Sequence, residues 1–358
     1  MTKAAELAKM GEVLTNSQIG GRRNIIINGA MQVDQRNSGS SYAQINSAYS
    51  LDRFRGNSYD GGAATGKFTV IQSSTAPDDF SHSLLVTSSA ATSDAANNIF
   101  NIEQLIEGYN TAHLKYGSSS AKTITLSFYV RSSLTGTFGG ALKNSARNRA
   151  YPFSYTINSA DTFERKEITI AGDTSGTWVG STNCIGLWIS FGLGVGSTRS
   201  GTAGAWGGGD MFSSTGATSV VGTNGATWYI TGVQLEVGQA TPFEHRSFGE
   251  ELALCQRYFQ SHLVPKSVGV FHSTIEFLSN VYFPTTMRAT PTFTANSFGT
   301  GSSYVYSGGA FRGTPDTFNQ DGISSGYVLL RYRGGTLSHT GGQAGVLYDA
   351  DFNLDAEL

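Results

Sequence analysis

Apolar residues recur at two different spacings along the chain, and each spacing predicts a different element. Near the N-terminus Leu7, Met10 and Leu14 follow the three-then-four spacing of a helical seam. This predicts a helix over residues 3–14. A helix this short is not stable alone, so its apolar stripe packs either on its own domain or on copies of itself. In the second case these three residues are oligomerisation contacts.

From about residue 22 apolar and polar positions alternate, which is typical of strands with one buried face. The clearest examples are KTITLSFYVRSS from residue 122, CIGLWISFGLGVG from residue 184 and TWYITGVQLEVG from residue 227. The residues predicted to face a core are Ile124, Leu126, Phe128, Val130, Ile185, Leu187, Ile189, Phe191, Leu193, Val195, Tyr229, Val233, Leu235 and Val237. Clusters of Gly, Ser, Thr and Asn between the segments predict loops.

Residues 247–260 return to helical spacing. Ser247 and Glu250 have the spacing of a capping box, and Leu252, Cys255 and Phe259 line one side of the predicted helix. After it, short alternating segments resume to residue 358. The pattern therefore predicts four parts: a short N-terminal helix (1–21), a β-rich domain (22–246), a linker helix (247–260) and a smaller C-terminal β-sandwich (261–358).

Composition favours this all-β interpretation. The 358 residues include 45 Gly but only 7 Pro, and aromatic residues make up 11%, a mixture that suits many short strands joined by tight turns. Charged residues make up 14% and the net charge is -2, which argues against a nucleic-acid surface. The segment MTKAAELAKMGEV lacks the apolar core of a signal peptide, and no run of about 18 apolar residues occurs. We therefore expect synthesis in a cytoplasm and no membrane insertion.

Motifs for catalysis, metals or nucleotides are absent or incomplete. Gly61, Gly66 and Lys67 have P-loop spacing, but Phe68 stands where Ser or Thr would bind magnesium. The two cysteines and six histidines show no metal-ligand spacing. Asp349 and Asp351 lie two apart on one predicted strand face, which allows either a calcium site or a solvated edge. We expect no enzyme activity, no cofactor and no bound metal.

Aromatic residues away from the predicted core are the candidate binding residues. Tyr129, Trp188 and Trp228 alternate with core positions, and flat rings stack on the apolar faces of sugars. The same rings could instead pack under a loop or against a neighbouring subunit. A second candidate patch lies in the C-terminal part, and its residues are Tyr304, Tyr306, Phe311, Tyr327, Arg331 and Arg333.

Several stretches resemble tail-fibre and related adhesion proteins of tailed bacteriophages. They are RRNIIINGAMQVDQR, YSLDRF, TWYITGVQLEVGQATPFEHRSFGEELALCQRYFQ, FPTTMRATPTFT and LDAEL. The blocks around residues 122–133 and 228–237 are also similar to jelly rolls of carbohydrate-binding modules. The resemblance implies that residues 22–246 form an antiparallel jelly-roll β-sandwich and that the chain is a homotrimer that recognises a host surface. It also implies that residues 1–21 serve attachment or oligomerisation and that residues 261–358 form a distal head. Such modules often carry an acidic pair for calcium in the last strand, where this chain has Thr231 and Gly232, so the metal is not carried over.

These observations lead to one hypothesis and two alternatives. The hypothesis is a virion tail-fibre protein that joins other tail proteins through its N-terminus and binds a polysaccharide or protein receptor on the host surface by multivalent contact. The first alternative is a virion structural protein, such as a capsid decoration or tail connector, without receptor contact. The second is a tailspike that degrades polysaccharide, although no stacking repeat of a parallel β-helix is present.

Overall fold

The computed structural model describes Lys3, residues 23–297 apart from 45, 62 and 94, and residues 304–358 apart from 316. The predicted N-terminal helix, with Leu7, Met10 and Leu14, lies outside these residues. By its contacts the chain divides into two compact units, one ending at Glu251 and the other covering Leu252–Glu357. No helix in the described part of the chain is long and apolar enough to cross a membrane.

The first unit is built from short, mostly antiparallel strands. Its strands are β1 (Tyr42–Ala43), β2 (Ala48–Leu51), β3 (Phe54–Asp60), β4 (Ala63–Ala64), β5 (Phe68–Ser73), β6 (Ser83–Ser88), β7 (Ile99–Glu107), β8 (Ile124–Ser132), β9 (Gly136–Asn144), β10 (Arg149–Ile157), β11 (Glu164–Ile170), β12 (Ile185–Val195), β13 (Ser200–Gly201), β14 (Gly207–Gly208), β15 (Ser213–Ser214) and β16 (Thr227–Val237). Helix α1 (Gly108–Thr111) and a 3-10 turn (Ala112–Leu114) follow β7.

Two sheets enclose the core of this unit. One sheet has the strand order β1-β5-β6-β16-β8-β11 and the other β14-β10-β9-β12-β7-β3-β2, with β4 beside β3. Phe128 of the first sheet meets Phe191 of the second with ring centroids 5.2 Å apart. The inward positions predicted on β8 and along the middle of β12 are buried. The prediction of an antiparallel all-β sandwich is confirmed.

A β-bulge in β16 changes which residues face that core. Thr231 pairs with Tyr129 and Gln234 with Ser127, so β16 contains one residue more than β8 over the same length. Gly232 lies in the bulge with φ +60°, a conformation that favours glycine. Because one extra residue exchanges the two faces of a strand, Trp228 points inward and Tyr229 outward, the reverse of the prediction.

Helix α2 (Phe248–Gln256) begins with the predicted capping box. The Ser247 amide donates to Glu250 Oε2 at 3.0 Å, and the Glu250 amide donates to Ser247 Oγ at 3.3 Å. The helix is shorter than the sequence pattern predicts. It ends at Gln256 because Phe259, counted among its apolar positions, is the first residue of a strand.

The second unit contains one curled antiparallel sheet. Its strands are β17 (Phe259–Ser273), β18 (Glu276–Tyr282), β19 (Thr292–Ser297), β20 (Tyr304–Ser307), β21 (Ala310–Phe311), β22 (Thr317–Ile323), β23 (Tyr327–Arg333) and β24 (Ala344–Asp355). Their order is β21-β20-β24-β17-β18-β23-β22, with β19 also beside β24. Phe293 of β19 meets Phe318 of β22 at 5.4 Å. The core therefore lies inside one sheet, where the sequence pattern had suggested two.

Candidate functional site

Four aromatic side chains meet at the β10 edge of the eight-stranded sheet and form what we call the aromatic cleft: Tyr116, Tyr151, Trp178 and Trp206. The Trp178 ring packs edge-on against Trp206 at 5.4 Å and against Tyr116 at 4.8 Å. Tyr151 lies 5.4 Å from Trp206. Trp178 and Trp206 are half-buried, so part of the cleft faces solvent.

Hydrogen bonds from the indole N–H groups fix the two tryptophan rings. Trp206 Nε1 donates to the Ala171 carbonyl at 2.6 Å, and Trp178 Nε1 donates to Asp173 Oδ2 at 3.3 Å and to the Ser175 carbonyl at 3.2 Å. The polar edge of each ring is therefore satisfied by the protein. A ring held in this way would lose little conformational entropy on contact with a ligand.

A glycine allows two loops of the cleft to approach each other. Gly117 has φ +80°, and its amide donates to the Asp173 carbonyl at 2.7 Å. A Cβ at this position would lie 2.8 Å from the Gly176 carbonyl oxygen and 3.1 Å from Trp178 Cδ1. Any side chain here would therefore separate Tyr116 from Trp178.

An ion pair supports the floor of the cleft. Arg149 Nε and Nη2 donate to the two oxygens of Asp173 at 2.9 and 2.7 Å, the bidentate geometry that makes such pairs strong. Burial alone would raise the pKa of Asp173, but the hydrogen bonds from Arg149, the Ser175 amide and Trp178 outweigh it and lower that pKa. Asp173 is therefore a charged, fully engaged carboxylate.

The Tyr116 hydroxyl contributes a polar group to the cleft. It is buried and has no hydrogen-bond partner among the described residues, and burial, followed by the charge of Asp173, raises its pKa. A cavity of about 70 Å³ lies beside it, lined by Leu114, Lys115, Tyr116, Trp178 and Gly180, among others. Because a water occupies about 30 Å³ in the liquid, this cavity holds a small substituent and not a whole sugar ring.

Sequence reasoning missed this cleft because its residues belong to loops far apart in the chain. Trp178 and Trp206 lie in Gly-, Ser- and Thr-rich stretches without periodicity. The tract AWGGGD belongs to the Gly-rich clusters that predict loops, but its Gly207 and Gly208 pair with Ala150 and Arg149 as strand β14. The sequence signal that could have revealed the cleft is a tryptophan inside a polar, loop-like stretch.

The prediction that Trp228 lies away from the core is wrong. Its side chain has no exposed surface, and its indole donates to the Tyr155 hydroxyl at 3.3 Å inside the sandwich. The bulge at Gly232 is the physical reason. Trp228 is a core residue and does not contact a ligand.

Tyr129 and Trp188 lie off the core, as the alternation predicts, but neither ring is open. Tyr129 packs against Phe80 at 5.4 Å. Trp188 is only 8% exposed, and its ring is approached by Arg55 at 4.9 Å and by Lys143 at 5.0 Å. Burial lowers the pKa of Lys143. The alternative of rings packed under neighbouring groups therefore describes both residues better than saccharide contact.

The C-terminal candidates fall into two separate groups along the sheet. Tyr306 and Phe311 meet at 6.0 Å near one edge of the sheet. Tyr304, in β20, pairs with Tyr348. Tyr327 lies in β23, which three strands separate from β20, and its ring is 6.3 Å from that of Tyr282.

The two arginines of that candidate set have acidic partners. Arg331 pairs with Asp321 at 2.5 Å and Arg333 with Glu276 at 3.2 Å. Within the ranges described above, no group of three or more His, Cys, Asp or Glu side chains could hold a metal ion.

No protein-family model matches the chain, and no curated protein matches it. Solved structures match weakly. The enzymatically active domain of a tailspike protein of Bacteriophage CBA120 is 14% identical over 60% of this chain and 22% of that chain, with a TM-score of 0.34. A Bacteroides thetaiotaomicron protein with a proposed sugar-binding role is 12% identical over 60% of this chain and 100% of that chain, with a TM-score of 0.37.

A third match is a family 11 carbohydrate-binding module of Clostridium thermocellum in complex with a mixed-linked tetrasaccharide. It is 10% identical over 56% of this chain and 96% of that chain, with a TM-score of 0.29. All three TM-scores are below 0.5. The matched part spans about a fifth of the tailspike chain.

Proposed function

We propose that this chain is a virion tail-fibre protein that recognises the host surface by binding saccharides in the aromatic cleft. The carrying observation is the cleft itself: two half-buried tryptophan rings, fixed through their N–H groups, beside a buried tyrosine hydroxyl that has no partner in the described part of the chain. The resemblance of several stretches to phage tail fibres supports the place in the virion.

The chemistry of the cleft suits a neutral sugar. The C–H faces of a pyranose ring pack on flat aromatic surfaces, and the ring hydroxyls need donors and acceptors close by. A sugar hydroxyl can hydrogen-bond to Tyr116, while a hydroxymethyl or acetamido group enters the small cavity.

Binding without catalysis is the simplest role for this arrangement. Glycoside hydrolysis ordinarily uses two carboxyl groups on either side of the scissile bond. Asp173 is the cleft's described carboxylate, and it is bound to Arg149 and Trp178. Weak sites of this kind reach useful strength when several act together on one particle.

A glycan array followed by calorimetry on the full chain tests the proposal. We expect selective binding of neutral oligosaccharides, and a loss of roughly tenfold or more in affinity for Trp178→Ala and for Trp206→Ala, since about 1.4 kcal/mol corresponds to tenfold. Tyr109→Ala, an exposed aromatic residue of the same unit, is the matched control. Binding that survives both tryptophan variants contradicts the cleft, and sustained release of reducing ends contradicts the non-catalytic role.

The place in the virion needs a separate experiment. Antibody labelling of purified particles that carry the chain should mark the tail. Label on the capsid would support a decoration protein instead, whatever the cleft binds.

A further inference from the structure

Exposed apolar side chains are concentrated in the second unit. Nine large apolar residues of the described chain are strongly exposed, and seven of them belong to this unit: Val268, Val270, Ile275, Tyr282, Tyr306, Phe311 and Tyr327. Val268 is 72% and Tyr282 75% exposed. Scattered single residues of this kind are normal, but a contiguous group marks an interaction surface.

Strand register places most of these residues on one face, which we call the outer C-terminal face. Val346 pairs with both Val268 and Tyr306. On the other side of β17, Val270 pairs with Leu278. Farther along the sheet, Tyr282 of β18 pairs with Tyr327 of β23. The apolar side chains therefore form a band across the sheet, while the opposite face carries the buried core.

The centre of this face is aliphatic, which argues against a sugar as its occupant. Sugar rings stack on flat aromatic rings and need hydrogen-bond partners for their hydroxyls. Val268, Val270 and Leu278 offer neither. Protein interfaces, in contrast, have an apolar centre that includes tyrosine and is poor in charge.

Charge on the face favours an identical partner. Arg331 and Arg333 are paired within their own unit with Asp321 and Glu276, so neither presents an unmatched ion to an approaching copy. Lys266 lies 5.2 Å from the centre of the Tyr348 ring. Because the arginines are already paired with carboxylates, two identical faces can meet without the repulsion between patches of like charge that opposes association.

The size of the face is of the right order for self-association. Six neighbouring strands, from β20 to β22, at a spacing of about 4.8 Å make it roughly 24 Å wide, and a seven-residue strand makes it roughly 20 Å long. The projected area is roughly 500 Å² before side-chain relief is counted, against about 800 Å² buried per partner in a standard interface.

From these observations we infer that the outer C-terminal face is a contact surface between copies of this chain. Tyr306 and Tyr327 then serve assembly, although the sequence pattern predicts saccharide contact for them. The inference does not depend on the aromatic cleft.

Sedimentation of the full chain over a wide range of concentration tests it. We expect a closed oligomer for the unchanged chain and a shift to the single-chain mass for Val268→Asp, because a carboxylate at the centre of the face would be buried unpaired. Tyr282→Ser should weaken assembly less. Tyr109→Asp, at an exposed position of the first unit, should leave assembly unchanged.

Three results would overturn the inference. They are a single-chain mass for the unchanged protein at all concentrations, an oligomer that persists in both Val268→Asp and Tyr282→Ser, and assembly lost only when residues 1–21 are removed. If Val268→Asp abolishes glycan binding without changing the mass, the face belongs to a saccharide and not to a second copy. Glycan binding by a single-chain variant with an intact cleft keeps this test separate from the proposed function.

Discussion

The two units place their aromatic residues in opposite ways. The first unit closes its core between two sheets and leaves only Tyr109 and Phe248 strongly exposed among its large apolar side chains, within the described residues. The second unit curls one sheet around a smaller core, and seven such side chains of this unit, most of them on its outer face, are strongly exposed. The difference indicates that a tryptophan or tyrosine in this chain acquires its role from the layer that covers it.

The largest expected change in unfolding free energy comes from a buried aromatic residue, and an exposed one serves as its comparison. Trp228→Ala should lower the free energy of unfolding of the first unit by about 3–5 kcal/mol, because it leaves a cavity in the sandwich. Tyr282→Ala should change the stability of the second unit by less than about 0.5 kcal/mol, since its side chain is exposed. Denaturant-dependent hydrogen exchange reads the two units separately. Similar losses in both would contradict the comparison.

A smaller effect is expected at two glycines that share a positive φ. Gly232 has φ +60°, and a Cβ there would lie 2.7 Å from Phe80 Cζ. Gly309 in the second unit has φ +75°, and no atom lies within 4 Å of its Cβ position. Gly309→Ala should cost about 1 kcal/mol, the penalty of the left-handed backbone, and Gly232→Ala should cost more because of the additional clash.

Equal costs for the two alanine variants, measured as shifts in the denaturation midpoint of each unit, would contradict this account of the bulge. Gly238→Ala, in the first unit with φ +83° and an open Cβ position, is the matched control and should behave like Gly309→Ala.

The smallest effect concerns pH and the ion pair below the aromatic cleft. The pKa of Asp173 is lowered in the folded chain, so the pair contributes stability above the ordinary aspartate pKa of about 3.9. This contribution is lost as pH falls through the lowered value. Asp173→Asn should be less stable than the unchanged chain at neutral pH, and the gap should narrow on acidification.

Unfolding midpoints measured at a series of pH values check this prediction. Asp161→Asn is the control, because Asp161 pairs with Arg131 at 3.2 Å but its side chain is 58% exposed, and exposed pairs contribute little. A gap between Asp173→Asn and the unchanged chain that stays constant with pH would show that the carboxylate acts only through packing.

Much of the fold was predictable because alternation is a local signal. Val130 in β8 and Ile189 in β12 are buried where period-two spacing places them, and the Ser247–Glu250 capping box begins α2 as its spacing indicates. The prediction for Trp228 was wrong because a single inserted residue at Gly232 reversed the faces of β16, and a bulge carries no periodic signature of its own. Most of the candidate site was missed for a related reason, since Trp178 and Trp206 come from loops.

The amino-acid sequence by itself determined that this chain is antiparallel and all-β, because the spacing of apolar residues decides which side of each strand avoids water. Only the tertiary structure decided which aromatic rings are covered. Coverage depends on loops and neighbouring strands that are distant in the chain: the 173–178 loop brings Trp178 to Tyr116, whereas Tyr282 of the second unit is 75% exposed among the described residues. For that reason the same residue types form a core, a cleft and an open face in one molecule.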